Sequence, residues 1–409
     1  MEEEAAATAA VSIPNKDVLL EIVVRVKDAV ALFRCATVCK QWHALITEPS
    51  FLRRRWPADA PCTFVGLFIR EVRNWEEDRR PSLSWEHCFI PASFVTNAPA
   101  GLCEDAVPLV SRHGFVVVDL RLRDARGYRD NSVHQLAVCN FLVDSCHTLP
   151  PLKFGSSFRY CNSNGYAILT GADCHSKDEP SPSPPTNSSF FKVAIISCEK
   201  DDYKYNLHVF SSYKATWSVH THCFGSDAQS LSYEQFTDAV VCHGMVHWVY
   251  RHYVELYCYV INLNPQTGHI SWTKLPSEMY CQIESYLCLT LSVDGALSMA
   301  WMQSSAPQLA IWEQENKQNI DITSEWVCTR TIELKQPEKE TPGRELCVLR
   351  EKCGTLLISD SDHRVYTADL ETRMMEEVVD WHHDCYFLRS DVMPLEIDWP
   401  TIFVSRLSM

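Results

Sequence analysis

The sequence predicts an α+β protein of two parts: a short N-terminal unit of three helices, then an all-β region that folds as a β-propeller of six to eight blades. With 409 residues, the chain is too long for one ordinary domain. Residues 14–56 contain no glycine, and their apolar residues recur at helical spacing. Beyond Trp56 the sequence changes to short runs rich in β-branched and aromatic residues, separated by turn signals.

The helical spacing is clearest in the first of the three helices. Leu19, Ile22, Val23 and Val26 follow the pattern i, i+3, i+4, i+7, which places them on one face. The second helix repeats this spacing, and the third covers residues 40–46 and ends before Pro49, because proline disfavours helix at the residue before it.

Three helices in about forty residues bury little apolar area, and domains of this size usually need a metal, disulfides or a partner. Charge also separates this unit from the rest. Residues 16–56 carry a net charge of +4, the first fifteen residues carry −3, and the residues beyond Trp56 carry −16. We therefore expect the basic helical unit to bind an acidic protein partner.

The predicted helical unit, residues 13–56, contains a characteristic set of residues: Pro14, residues 17–22 (Asp-Val-Leu-Leu-Glu-Ile), Leu32, Arg34, residues 38–40 (Val-Cys-Lys), Trp42, residues 45–46 and residues 49–51. These residues carry a resemblance to the F-box family. It covers about 43 residues and implies docking on the Skp adaptor of a cullin ubiquitin ligase, with apolar helix anchors in a groove. The adaptor-binding residues that it implies are Pro14, Val18, Leu19, Ile22, Val23, Leu32, Val38, Cys39, Lys40 and Trp42. The alternative is that Leu19, Ile22, Val23, Leu32 and Trp42 form only an intramolecular core.

We predict that residues 57–409 form the propeller. Glycine turns at Gly114, Gly165, Gly244, Gly295 and Gly354 are separated by 51, 79, 51 and 59 residues, and a spacing near 50 is typical of kelch-type blades. The longest gap holds residues 176–189, a polar Pro/Ser stretch that reads as a flexible loop. A β-sandwich pair or an irregular β domain is the alternative, because regularly spaced short strands also mark those folds.

The net charge of −15 argues against nucleic acid as a main partner, since affinity for polyphosphate comes from basic residues. The motifs G-x-G-x-x-G, G-x-x-x-x-G-K-[ST], G-x-S-x-G and H-E-x-x-H do not occur. We therefore predict no catalytic residue, no cofactor and no enzyme activity.

The first twelve residues are acidic and alanine-rich, and we expect them to be disordered. They lack the basic opening of a secretory or transit peptide, which predicts an intracellular protein, cytoplasmic or nuclear. No apolar run approaches the roughly 18 residues that a bilayer span needs, so we expect no membrane association.

Nineteen cysteines are scattered along the chain without any C-x-x-C pair, which favours reduced thiols over zinc sites or a disulfide scaffold. The densest metal-capable cluster is residues 382–385, His-His-Asp-Cys. No second Cys/His pair accompanies it at zinc spacing, and we predict no metal.

The arrangement as a whole resembles plant F-box proteins, in which a degenerate, kelch-like F-box-associated propeller follows the F-box. It implies the substrate-recognition subunit of a Skp-cullin-F-box ubiquitin ligase: the helices bind the adaptor, and the β region captures an unidentified protein substrate. The sequence assigns no substrate-binding residue. The alternative is a non-catalytic propeller that binds a carbohydrate or another small ligand, with the helices serving only for packing.

Overall fold

A computed structural model of the chain describes residues 16–26, 29–56, 63–71, 86–91, 106–120, 133–140, 145–153, 164–174, 190–198, 204–225, 235–236, 238–252, 257–276, 287–292, 295–302, 307–314, 326–335, 346–352, 354–360, 364–378, 392–397, 399–400, 403 and 407. The chain divides into two compact units. One unit comprises Met1–Ala60 together with Asp398–Met409, and the other comprises Pro61–Ile397.

The first unit contains four helices rather than the three predicted. They are α1 (Lys16–Val24), α2 (Ala29–Val38), α3 (Lys40–Ile46) and α4 (Pro49–Arg55). The prediction stopped the helices before Pro49, but Pro49 is the first residue of α4. Proline is tolerated there because its missing N–H would have no intrahelical acceptor in the first turn. Of the helices that the structure describes, none is long and apolar enough to cross a membrane.

The end of the chain also belongs to this unit, whereas the sequence assigns it to the β region. Trp399, Pro400, Phe403 and Leu407 are helical, and Phe403 and Leu407 are buried in the same hydrophobic cluster as the helices. The domain boundaries are corrected accordingly: the β unit ends at Ile397.

The described residues of the second unit are in strands, turns and connecting segments, apart from one short helix, α5 (Gly171–Cys174). Five sheets follow one another along the chain, each antiparallel and built from one continuous stretch; we call them blades 1 to 5. Blade 1 has β3 (Ala106–Arg112), β4 (Phe115–Leu120), β6 (Leu136–Asn140) and β7 (Ser145–Thr148). Blade 2 has β9 (Gly165–Thr170), β10 (Phe191–Cys198), β11 (Lys204–Ser211) and β12 (Thr216–Gly225).

The remaining three blades are also antiparallel sheets, each built from one continuous stretch of the chain. Blade 3 has β13 (Gln235–Phe236), β14 (Val240–Cys242), β15 (Met245–His252), β16 (Tyr257–Leu263) and β17 (Ile270–Lys274). Blade 4 has β18 (Leu287–Leu291), β19 (Leu297–Met302), β20 (Gln308–Gln314) and β21 (Trp326–Glu333). Blade 5 has β22 (Leu346–Lys352), β23 (Thr355–Asp360), β24 (Val365–Asp369) and β25 (Met375–Glu377), and a separate pair joins β5 (Val133–His134) to β8 (Leu152–Lys153).

A three-stranded sheet connects the two ends of the β unit. Its order is β2 (Glu86–Pro91), β1 (Thr63–Glu71) and β26 (Val392–Ile397), so the first strands pair with the last. We call it the closing sheet, because β26 lies against β3 of blade 1 and β22 of blade 5. The inner strands β3, β9, β14, β18 and β22 contact one another in the same succession, which completes a ring. The predicted six to eight blades are therefore corrected to five blades and a closing sheet.

The hydrophobic cores lie between neighbouring sheets. One cluster joins blades 1 and 2, and further clusters join blades 2 and 3, 3 and 4, and 4 and 5. Met393 and Leu395 of β26 pack with blade 1 in another cluster. Blades 1 to 4 therefore bury both of their faces against neighbours, as propeller blades do.

Four of the five predicted glycine turns are confirmed. Gly114, Gly244, Gly295 and Gly354 have positive φ, and each connects the inner strand of its blade to the next strand along the chain. Gly165 does not lie in a turn: it is the first residue of β9 and is buried. Residues 176–189 lie outside the described residues.

Candidate functional site

Helix α1 carries apolar side chains on two sides. Leu19 and Val23 are buried in the helical unit. Val18 and Ile22, one turn apart, are 51% and 50% exposed. Residues four apart lie on the same face of a helix, so Val18 and Ile22 form an exposed apolar strip that helix packing does not require.

The junction of α2 and α3 presents a third exposed apolar residue. Val38 ends α2 and is 74% exposed, and Lys40 begins α3 and is also exposed. Between them Cys39 is extended, with φ −157° and ψ 163°, which breaks the helix between the two. The sequence Val-Cys-Lys thus sits at a sharp turn with its side chains in solvent.

The predicted adaptor-binding residues separate into two groups. Leu19, Val23 and Leu32 are buried in the helical core, and their role in adaptor binding stays a prediction. Trp42 is half-buried and packs against that core. Residues that remain available to a partner are Val18, Ile22, Val38, Cys39 and Lys40. Pro14 lies outside the described residues.

The surface of the helical unit is largely basic. The exposed basic side chains among its described residues are Lys16, Arg25, Arg34, Lys40, Arg53 and Arg54. A hydrogen bond from Arg54, 2.8 Å from the Glu21 carboxylate, lowers the pKa of Glu21. Exposed pairs of this kind add little stability, so the basic residues contribute mainly to the electrostatic potential that a partner meets.

A second concentration of polar groups lies at the C-terminal ends of the inner strands of the ring. The Arg112 guanidinium contacts the Asp173 carboxylate at 2.6 and 3.0 Å. The backbone N–H of His113 donates to the Glu396 carboxylate at 2.5 Å, and the Lys352 ammonium lies 3.7 Å from that carboxylate. These pairs connect blade 1 to blade 2, and the closing sheet to blades 1 and 5.

The electrostatics of this polar cluster follow from burial and charge. Burial alone would raise the pKa of Glu396, but Lys352, His113 and Arg112 hold it at about 2. Burial raises the pKa of Glu351 to about 7. Arg350 and Asp238 form a further ion pair between blades 5 and 3. Because acids and bases neutralise each other here, we assign the cluster a role in holding the ring together.

The metal-capable cluster noted in the sequence, residues 382–385, lies outside the described residues. A cysteine and a histidine are neighbours at the turn after β14. The Cys242 thiol lies 3.1 Å from His243 Nδ1 and donates to the Gly295 carbonyl at 3.2 Å, while burial raises its pKa. A thiol with a raised pKa is a poor nucleophile. Among the described residues no group of three or more metal-ligating side chains converges.

Sequence reasoning missed the C-terminal contribution to the helical unit. Trp399, Phe403 and Leu407 recur at i, i+4 and i+8, which is a helical signal. The long β region that precedes the segment obscures this signal.

The comparisons with known proteins support the first unit by sequence. Residues 13–56 match the family model described as F-box-like. The predicted F-box is thereby confirmed at the level of an F-box-like domain with the same bounds. No curated protein sequence matches the chain.

Solved structures resemble the chain only distantly. The β-propeller domain of the Trilobed protease from Pyrococcus furiosus is 8% identical, with 68% of this chain and 84% of that chain covered and a TM-score of 0.31. An α-L-arabinanase from Penicillium chrysogenum is 7% identical, with coverages of 75% and 83% and a TM-score of 0.35. Hydrazine synthase from Kuenenia stuttgartiensis is 11% identical, with coverages of 82% and 47% and a TM-score of 0.39. The arrangement of the sheets, rather than these likenesses, defines the fold as propeller-like.

Proposed function

We propose that the chain is the substrate-recognition subunit of a Skp-cullin-F-box ubiquitin ligase. The F-box-like domain binds a Skp-family adaptor, and the β unit recruits a protein for ubiquitination. The observation that carries the proposal is the exposure of Val18, Ile22 and Val38 on a domain that matches the F-box-like model. Three exposed aliphatic side chains on so small a domain favour burial by a partner.

The mechanism is one of proximity and needs no catalytic residue in this chain. A receptor that holds the adaptor and the substrate at once raises the effective concentration of substrate lysines near a ubiquitin-loaded enzyme elsewhere in the assembly. The apolar strip supplies contact area, and the exposed basic residues of the helical unit steer an acidic adaptor toward it.

The test is a titration of the purified full-length chain with a purified Skp-family adaptor, followed by calorimetry. We expect Ile22→Glu and Val18→Glu to weaken binding by tenfold or more, since a buried charge without a partner is costly. Val327→Glu is the matched control: Val327 is 43% exposed on β21, and the change should leave the affinity unchanged. Equal affinity for all four proteins, or no binding by the wild type, refutes the adaptor-binding role.

The recruiting role of the β unit needs a separate measurement. Proteins that are captured equally by the wild type and by Ile22→Glu are candidates for β-unit ligands. In a reconstituted ligase reaction, a true substrate is ubiquitinated with the wild type and not with Ile22→Glu. A captured protein whose ubiquitination does not depend on Ile22 is excluded as a substrate.

A further inference from the structure

We infer that the C-terminal segment, residues 398–409, is a structural part of the F-box-like domain and that adaptor binding by this chain requires it. The second half of this inference rests on the proposed function. The first half rests on the packing of the described residues alone.

The segment supplies buried side chains to the core of the helical unit. Phe403 is fully buried and Leu407 is 7% exposed. They belong to one hydrophobic cluster with residues of all four helices: Val23, Leu32, Ala36, Ile46, Phe51 and Leu52. A core with these two side chains removed would lose a substantial part of an already small buried area.

Aromatic contacts fix the segment against the middle of α2 and the C-terminal end of α4. The Phe403 ring lies edge-on to Phe33 with centroids 5.5 Å apart, and it lies 5.2 Å from Trp56. Trp399 stacks on Trp56 with centroids 6.4 Å apart. Such edge and offset-stacked arrangements are the favoured geometries of aromatic pairs, so the contact is specific in direction as well as apolar.

A polar contact anchors the far end of the segment. His43 Nε2–H on α3 donates a hydrogen bond to the backbone carbonyl of Leu407. Since α3 follows directly on the exposed turn at Val38, Cys39 and Lys40, the segment supports the helix whose start presents that turn.

The described residues of the segment pack away from the candidate adaptor face. Val18, Ile22 and Val38 are exposed, while Phe403 and Leu407 are buried in the core. The contacts of Phe403 and Leu407 therefore support α2 and α3 without using the side chains that a partner would bind.

The experiment compares the full-length chain with a variant that ends at Asp398, which retains β26. Amide hydrogen exchange is measured without adaptor, and adaptor affinity is measured separately. We expect α2 and α3 to lose at least tenfold in exchange protection, adaptor affinity to fall at least tenfold, and exchange in β3, β9 and β22 to stay unchanged. Exchange reports local opening and does not depend on any partner.

Point variants of the full-length chain exclude a nonspecific effect of truncation. Phe403→Ala should reproduce the loss of protection, and Phe403→Leu should restore most of it. Tyr213→Ala is the matched control, since it removes an aromatic ring that is 84% exposed.

The outcomes separate the two halves of the inference. Unchanged protection of α2 and α3 in both the truncated chain and Phe403→Ala overturns the structural role. Lost protection with undiminished adaptor affinity overturns the requirement for binding. A wild type that does not bind the adaptor defeats the proposed function and the requirement with it, while the exchange data still decide the structural role.

Discussion

Thr63 and Ile397 lie opposite each other in the closing sheet, where the first strand of the ring is hydrogen-bonded to the last. This antiparallel pairing continues to Ile69 and Val392 with one irregularity between Phe64 and Gly66. It leaves β1 paired on both sides, with β2 and with β26. A ring closed in this way avoids a long exposed edge between its first and last strands, which would invite association with other chains.

Substitution by alanine should have different effects on stability at a buried and at an exposed apolar residue of the helical unit. Leu32→Ala should lower the free energy of unfolding of this unit by about 2–5 kcal/mol, because Leu32 is fully buried and its removal leaves a cavity. Val38→Ala should change it by less than about 0.5 kcal/mol, because Val38 is exposed. Urea unfolding followed by helical circular dichroism measures both. Equal effects would contradict the assignment of Leu32 to the core.

The Lys352 and Glu396 pair should contribute to the stability of the ring. Lys352→Met removes a cation that lies 3.7 Å from the Glu396 carboxylate, which is only 3% exposed, and removing one partner of a buried ion pair costs about 3–5 kcal/mol. The double variant Lys352→Met with Glu396→Gln should lose less stability than the sum of the losses in the two single variants, since it removes both charges of the pair. Lys16→Met breaks the exposed pair with Glu48 and should change little. Additive losses would show that the two residues act independently.

The pKa of Glu396 sets the pH range in which this pair acts. Its value is about 2 in the folded protein against an ordinary 4.5, so the folded state favours the charged form. The corresponding stability is fully present above pH 4.5 and is lost as the pH falls toward 2. The free energy of unfolding of Glu396→Gln should therefore fall less steeply between pH 4.5 and 2 than that of the wild type. An identical slope would exclude Glu396 as the titrating group.

Buried histidines should destabilise the β unit at mildly acidic pH. Burial lowers the pKa of His208 to about 4, and its Nε2 lies 2.9 Å from Ser197 Oγ. The unfolded chain binds a proton at this histidine near pH 6.5 and the folded one does not, so stability is present above pH 6.5 and falls as the pH drops toward 4.

The measurement is the midpoint of urea unfolding between pH 7.5 and 5. The double variant Ser197→Ala with His208→Leu removes both partners and should flatten the decline over this range. His269→Gln, which changes an exposed histidine, should leave the decline unchanged. Burial lowers the pKa of His247 as well, whereas burial raises the pKa of Glu351 to about 7 and so opposes the decline over this range. Both contributions are common to the two proteins, so the difference in slope between the wild type and the double variant reports His208.

Local pattern predicted the elements of this fold, but not which surfaces of those elements meet. The spacing of Leu19, Ile22 and Val23 correctly indicated a helix, yet only Leu19 and Val23 are buried and Ile22 is exposed. Apolar residues at helical spacing form a stripe along one side of a helix. Which of these residues become buried depends on the helices that pack against the stripe.

The largest errors concern contacts between residues far apart in the chain. The blade count assumed that residues 57–409 divide into equal local repeats, whereas the closing sheet pairs Thr63 with Ile397. The helical unit was assigned to one continuous segment, whereas His43 bonds the carbonyl of Leu407, 364 residues later. Neither pairing leaves a local signature, because local propensity and spacing do not encode which distant segment completes a sheet or a core.

The structure places Gly165 in a strand, whereas the sequence predicted that it lies in a turn. The sequence suggested a turn, but Gly165 begins β9 and lies beneath the aromatic cluster between blades 2 and 3. A Cβ atom there would lie 3.0 Å from Phe236 Cδ1 and 3.1 Å from Trp248 Nε1. Glycine in a strand often marks such a close approach of neighbouring groups.

Gly165→Ala should therefore lower the free energy of unfolding of the β unit by about 1–3 kcal/mol, as overpacking of a filled core does. Both neighbours are held: the Phe236 ring contacts Tyr205 and Tyr250, and Trp248 Nε1–H donates to the Tyr166 carbonyl at 3.3 Å. In a Phe236→Leu background the same change should cost less, because the smaller side chain makes room for the methyl group.

Gly295→Ala separates steric overlap from backbone strain. Gly295 has a φ of +79°, and no atom lies within 4 Å of the position that a Cβ would take, so alanine there meets only the left-handed backbone cost of about 1–2 kcal/mol. That cost should be the same with Phe236 and with Leu at position 236, whereas the cost of Gly165→Ala should fall with Leu. Urea unfolding of the two glycine variants in both backgrounds measures the coupling. Zero coupling between positions 165 and 236 would show that the Phe236 ring yields freely, and would remove packing as the reason for glycine at the start of β9.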